Sequence, residues 1–86
     1  MRRRRSEFSD AFALAIQKRR TARKLSRQGL AERAGLHQTY IGMIERGLSN
    51  PTLDAANAIA EALGIPFSKL IAEAEALQGL AESGQR

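Results

Sequence analysis

The chain has 86 residues, 43 % of them hydrophobic, which is enough for one small domain with a single core. It contains no cysteine, which excludes disulfides and thiolate metal sites and fits a reducing cytoplasm. The net charge of +5 favours a polyanionic partner. No apolar run approaches the ~20 residues that span a bilayer, so we expect no membrane association.

The first two predicted helices lie in the basic half of the chain. The first runs from about Ser9 to about Lys24, where apolar residues recur at a helical period. The second covers about Arg27–Ala34 and follows Ser26, a suitable N-cap residue. Gly35 can adopt the positive φ that ends a helix. The pattern therefore predicts a tight turn directly after the second helix.

Three further helices and no strand are predicted after this turn. The third helix spans about Gln38–Arg46 and turns two isoleucines, Ile41 and Ile44, inward. A loop rich in helix-breaking residues follows. The fourth helix is capped by Thr52 and carries an apolar stripe formed by Leu53, Ala56, Ile59, Ala60 and Leu63. The fifth helix follows Pro66 and ends near Gln78, so the short connections predict an all-α bundle.

The positive charge is concentrated where the two short helices lie. Residues 16–33 contain seven cations and one acid, whereas residues 53–86 contain five acids and two cations. Such a run is usually a solvated face, but here it coincides with two helices joined by a glycine turn. That helix pair is a device for inserting its second helix into the major groove of DNA.

Short motifs at fixed spacing lie within residues 16–70: Ile16…Arg20, Leu25-Ser26, Leu30-Ala31, Ala34-Gly35-Leu36, Ile41…Ile44-Glu45-Arg46-Gly47, Asn50-Pro51 and Leu63-Gly64-Ile65. Together they resemble the helix-turn-helix domain of the Cro and lambda-repressor type, also called the xenobiotic-response-element (XRE) family. Residues 37–47 are also similar to the controller proteins of restriction–modification systems. The resemblance implies a five-helix, lambda-repressor-like domain with its helix-turn-helix at helices 2 and 3. It also implies a transcriptional regulator that binds double-stranded DNA.

The resemblance assigns roles to individual residues. It implies that three residues contact base edges: Gln38, Thr39 and Met43. It implies that four residues contact DNA phosphates: Arg27, His37, Tyr40 and Arg46. Glutamine can pair with adenine, and threonine or methionine can contact the thymine methyl group. Tyr40 fits a partly buried core ring equally well, and His37 fits a helix cap or an idle surface residue. An internal ion pair is implied between Arg20 and Glu45.

One recognition helix reads few bases, so we expect a homodimer on a palindromic operator. Apolar residues at alternating spacings of three and four on the fifth helix predict its interface, formed by Leu70, Ile71, Ala74 and Leu77. Leu70, like Phe67, is also expected to close the core of the single chain.

The predicted domain organisation is a basic arm over residues 1–8, a DNA-binding domain over 9–78 and a tail over 79–86. The arm contains Arg2, Arg3, Arg4 and Arg5. We expect this arginine run to add affinity for any DNA sequence, with insertion into the minor groove as the alternative.

Other functional classes find little support in the sequence. The single histidine lacks a neighbouring ligand, so no metal is expected, and no nucleophile system or phosphate loop indicates an enzyme or a cofactor. No small-molecule effector domain is evident. A basic helix on an anionic membrane is discounted because the apolar residues of helix 1 are needed for the core. The alternative is an antitoxin-type or anti-regulator protein that holds a protein partner by its acidic C-terminal helix.

Overall fold

The computed structural model describes the backbone of residues 7–84 and the side chains of residues 7–80. Five helices are present: α1 (Glu7–Ala22), α2 (Arg27–Ala34), α3 (Gln38–Glu45), α4 (Leu53–Ala62) and α5 (Phe67–Gly84). No strand occurs in this part of the chain, so the prediction of an all-α fold is confirmed. Over the same range, none of the helices combines the length and apolar character that a membrane span requires.

Most helix ends lie within two residues of the predicted positions. α1 starts at Glu7 instead of Ser9, and acids in its first turn suit the positive end of the helix dipole. It ends at Ala22 because Lys24 adopts a left-handed conformation with φ of 58°. α5 extends to Gly84, into the predicted tail. The glycine after the predicted end, Gly79, weakens the helix by about 1 kcal/mol but does not end it.

A single apolar core joins all five helices. Its largest fully buried side chains are Ile16, Leu30, Ile41, Ile44, Ile59, Leu63 and Leu70. Burying each such side chain stabilises the fold by roughly 1.5–3 kcal/mol. Leu53 departs from the predicted stripe, since it is 78 % exposed. The first turn of α4 lies at the rim of the bundle, so the buried face begins at Ala55 and Ala56.

α1 and α5 pack along each other, and α2 and α3 share a core with them. The rings of Phe12 and Phe67 meet edge to face with their centroids 6.4 Å apart. Arg19 and Glu73 form an ion pair further along, with Nε of the arginine 2.9 Å from Oε1 of the carboxylate. The hydrogen bond from Arg19 lowers the pKa of Glu73 against the smaller opposing effect of burial. α5 is thereby fixed to α1 at two separate places.

Candidate nucleic-acid interface

Hydrogen bonds between nearby residues fix both ends of α2 and the turn that leads to α3. Ser26 Oγ accepts from the Gly29 amide at 2.9 Å and caps α2 at its start. Gly35 ends the helix with φ of 71°, and the Leu36 amide donates to Ala31 O at 2.9 Å. Leu36 then packs against the core. These contacts set how α3 leaves the turn.

His37 is the N-cap residue of α3. Its Nδ1 accepts a hydrogen bond from the Thr39 amide at 3.1 Å, which requires an unprotonated Nδ1. In the neutral ring the hydrogen is therefore on Nε2. Of the roles considered from the sequence, the structure shows the cap.

α3 buries one face and exposes the other. Ile41 and Ile44 are buried, whereas Gln38 and Thr39 are exposed and Met43 is half-buried. The predicted base-reading residues thus lie away from the core at the start and middle of the helix. Gly42 lies beneath the guanidinium of Arg46, since a Cβ added to this glycine would be 3.5 Å from Nη1. Arg46 itself is exposed and covers part of the outward surface of α3.

Glu45 binds two arginines from two other parts of the fold. Arg20 on α1 donates from Nε to Oε2 at 2.7 Å and from Nη2 to Oε1 at 3.0 Å. Arg27 at the start of α2 donates from Nε to Oε1 at 2.9 Å. The Glu45 side chain is only 1 % exposed. Its negative charge is therefore buried in the bundle, where the two arginines balance it. The family resemblance implies the pair of Glu45 with Arg20 alone. The sequence signal for the second contact is Arg27, the arginine that directly follows the cap residue Ser26.

Tyr40 connects α3 to the start of α4. The ring is half-buried against the core, and its hydroxyl accepts from the Thr52 amide at 3.4 Å. Its hydroxyl hydrogen can still be donated to a second acceptor. The core position is therefore observed, and contact with a phosphate stays a prediction.

An open, largely polar hollow of about 430 Å³ lies between the starts of α2 and α3. It is lined by Arg20, Ser26, Arg27, Gln28 and Gln38. The fold thereby brings Arg27, a predicted phosphate-contacting residue, next to Gln38, a predicted base-reading residue. The described residues contain no group of three or more histidines or acids placed to hold a metal ion.

The predicted interface residues on α5 separate into two groups. Leu70 and Ala74 are 0 % exposed and belong to the core of the single chain. This burial confirms that Leu70 closes the core of the single chain. It corrects the interface prediction for both residues, since they have no surface to offer a second copy. Ile71 and Leu77 are half-buried and keep part of their apolar surface. Arg2, Arg3, Arg4 and Arg5 of the arm lie outside the described residues.

Comparison with known proteins identifies the family. A helix-turn-helix family (HTH_3) matches residues 16–70, which contain α2, α3 and α4 complete. The control protein C.SmaI of Serratia marcescens is 37 % identical over 65 residues, covering 76 % of this chain and 77 % of that protein. The chain belongs to the XRE-type helix-turn-helix family of DNA-binding transcription regulators.

Other relatives agree with this assignment. The immunity repressor protein of Bacillus phage phi105 is 44 % identical over 54 residues, and the match covers 63 % of this regulator but 38 % of the repressor. The crystal structure of the restriction–modification controller protein C.AhdI from Aeromonas hydrophila superimposes with a TM-score of 0.70 and 35 % identity. That match covers 72 % of this chain and 94 % of the controller. The clp gene regulator ClgR from Corynebacterium glutamicum shares the fold, with a TM-score of 0.87 and 20 % identity over 95 % of this chain and 87 % of that one.

Proposed function

We propose that this chain is a sequence-specific regulator of transcription that binds a palindromic operator in double-stranded DNA as a homodimer. The observation that carries the proposal is the exposed start of α3. There Gln38 and Thr39 project from a helix whose opposite face is buried. The similar control and repressor proteins support a regulatory role.

The proposed interface divides into groups that read bases and groups that hold the DNA backbone. Gln38, Thr39 and Met43 would contact base edges in the major groove. Arg27, His37, Tyr40 and Arg46 would contact phosphates, which position the protein but carry no sequence information. The hollow between α2 and α3 supports this division, because a phosphate-directed arginine and a base-directed glutamine line it together.

Dimerisation follows from the size of the recognition element. α3 has eight residues and is about 12 Å long, so one copy reads too few base pairs for useful specificity. Ile71 and Leu77 on α5 keep apolar surface outside the core and are the proposed self-contact. A two-fold dimer would place its two copies of α3 in half-sites about one helical turn, ~34 Å, apart.

The alternative role, holding a protein partner through an acidic fifth helix, is less well supported. Glu73, one of the acids of α5, already binds Arg19 within the chain. The acidic surface available to a partner is therefore smaller than the sequence indicates.

Selection of DNA from a random-sequence duplex pool by the purified full chain tests the proposal. We expect enrichment of one sequence with two inverted half-sites about one helical turn apart. A Gln38→Ala/Thr39→Ala double variant keeps the charge and serves as the matched control. It should lose the enrichment and still bind random duplex, because its phosphate contacts are intact. Absence of any enriched sequence with the wild-type chain would contradict the proposal.

A further inference from the structure

Arg20 and Arg27 bind the same carboxylate, that of Glu45, but they differ in how many of their guanidinium nitrogens form hydrogen bonds. Arg20 has all three of its nitrogens engaged, since Nε and Nη2 bind Glu45 and Nη1 donates to Leu25 O at 2.8 Å. Arg27 uses Nε alone. Its Nη1 and Nη2 have no hydrogen-bond partner among the residues that the structure describes. One of the three Arg27 guanidinium nitrogens is therefore held by the fold, and the two terminal nitrogens are available to a ligand.

The Arg27 side chain that carries these two terminal nitrogens lies at a surface. The side chain is 41 % exposed and lines the polar hollow together with Ser26, Gln28 and Gln38. A guanidinium is planar and rigid, so a bond that fixes Nε also restricts the direction of Nη1 and Nη2. One carboxylate faces two arginines, which leaves a net positive charge beside the hollow.

We propose, on the basis of the proposed function, that Glu45 is a positioning residue for DNA binding. It holds Arg27 by Nε so that Nη1 and Nη2 donate together to one phosphate of the DNA backbone. Such paired donation is a favoured geometry for arginine and phosphate. The carboxylate that connects α1 to α3 thus also orients the cation that contacts the DNA.

The geometry distinguishes arginine from lysine at position 27. A lysine keeps the positive charge but has no planar fork that a carboxylate can orient. Arg27→Lys should weaken binding to a duplex of fixed random sequence by roughly five- to ten-fold, because an oriented pair of charge-assisted bonds is lost. The slope of log K against log salt should stay unchanged, since the charge remains, whereas Arg27→Gln should flatten it by about 0.9 per contact.

Arg33→Lys is the matched control on the same helix. Arg33 is exposed and takes part in no ion pair found among the described residues. This substitution should change binding to the same duplex by less than about two-fold. Equal losses for Arg27→Lys and Arg33→Lys would overturn the proposal.

The role of Glu45 is tested by repeating Arg27→Lys in a Glu45→Gln background. If Glu45 orients Arg27, the affinity ratio of arginine to lysine at position 27 should fall to about one. A Glu45 that only stabilises the fold would leave that ratio at its wild-type value, which would overturn the proposal. The ratio is unaffected by the added net charge, because both members of the pair share the Glu45→Gln change.

Two outcomes separate this proposal from the proposed function. If Glu45→Gln unfolds, as judged by circular dichroism, the comparison of Arg27→Lys with Arg33→Lys decides alone. If the wild-type chain shows no salt-dependent binding to the duplex, the proposed function fails together with the role of Glu45. Binding by the wild type with no difference between arginine and lysine at position 27 overturns the role of Glu45 only.

Discussion

Two residues with positive φ determine where α1 and α2 end. Lys24, with φ of 58°, donates its amide to Thr21 O at 2.9 Å and lets the Leu25 amide reach Arg20 O. A left-handed residue with a side chain costs roughly 1–2 kcal/mol, a cost that glycine avoids. Gly35 occupies the same region at the end of α2. The connection between α1 and α2 is therefore strained, whereas the connection between α2 and α3 is not.

Gln38 provides the sharpest test at the level of a single residue. Gln38→Ala should weaken binding to the selected operator by roughly 1–3 kcal/mol, because a contact to a base edge is lost. Binding to random duplex should not change, and the fold should not change because the side chain is exposed. The measurement is the ratio of the operator and random-duplex affinities.

Asn57→Ala on α4 is the control for Gln38→Ala. Asn57 is an exposed side-chain amide on a helix outside the proposed interface, so its removal should leave the ratio unchanged. A wild-type ratio for Gln38→Ala would mean that Gln38 does not read bases. The placement of α3 in the major groove would then be wrong.

At the level of elements, the end of α1 and the residue that follows it connect to three other helices. Arg19 binds Glu73 on α5, and Arg20 binds Glu45 on α3. Arg23 donates from Nη1 to Leu63 O at 2.7 Å, at the C-terminal end of α4. With Arg27, which binds Glu45, four of the seven cations of residues 16–33 bind groups within the chain, so the charge count overestimates the positive charge available to DNA.

The Arg19–Glu73 pair predicts a pH dependence of stability. The pKa of Glu73 is lowered from its ordinary value of 4.5, so the folded state favours the charged carboxylate. The resulting stabilisation is present above pH 4.5 and is lost as the pH falls through the lowered pKa. Glu73→Gln should reduce the free energy of unfolding by about 0.5–1 kcal/mol at neutral pH, because the pair is partly exposed.

Urea unfolding of the wild type and Glu73→Gln measures this effect. The two chains should differ at about pH 7 and converge as the pH falls through the lowered pKa of Glu73, where the carboxylate becomes protonated. Glu75→Gln, on the same helix and exposed, is the control and should match the wild type at both pH values. A difference that persists unchanged in acid would contradict an electrostatic origin.

At the level of the whole molecule, one chain is small compared with an operator. Its principal extents are 39, 29 and 19 Å, and among its described residues α3 is the one helix that we propose reads bases. A site with two half-sites about 34 Å apart therefore needs two copies. The remaining apolar surface on α5 is where we expect them to meet.

Leu77→Asp tests the dimer. A carboxylate at this half-buried apolar position should prevent association, because burying an unpaired charge in an interface is costly. Sedimentation at micromolar concentration should give the mass of a monomer for the variant and of a dimer for the wild type. Leu48→Asp, in the exposed loop after α3, is the control and should sediment as the wild type does. An unchanged mass for Leu77→Asp would refute this interface.

Local chemistry was enough to predict the elements and the family. Ser26 and Thr52 cap α2 and α4 through hydrogen bonds that span three residues, and Gly35 ends α2 by its own backbone freedom. The buried isoleucines of α3 followed from helical spacing. Each of these features depends on residues within about one helical turn, so the order of amino acids specifies it directly.

The packing of the helices decided which charged and apolar side chains are used within the fold and which remain exposed to a partner. Arg19 meets a partner 54 residues away and Arg23 one 40 residues away, so sequence spacing did not indicate that either cation is used internally. Ala74 was likewise expected at an interface, and it has no exposed surface because α5 turns it into the core. Contacts between distant segments form only when helices pack, and packing decides which charges and apolar side chains remain exposed to a partner.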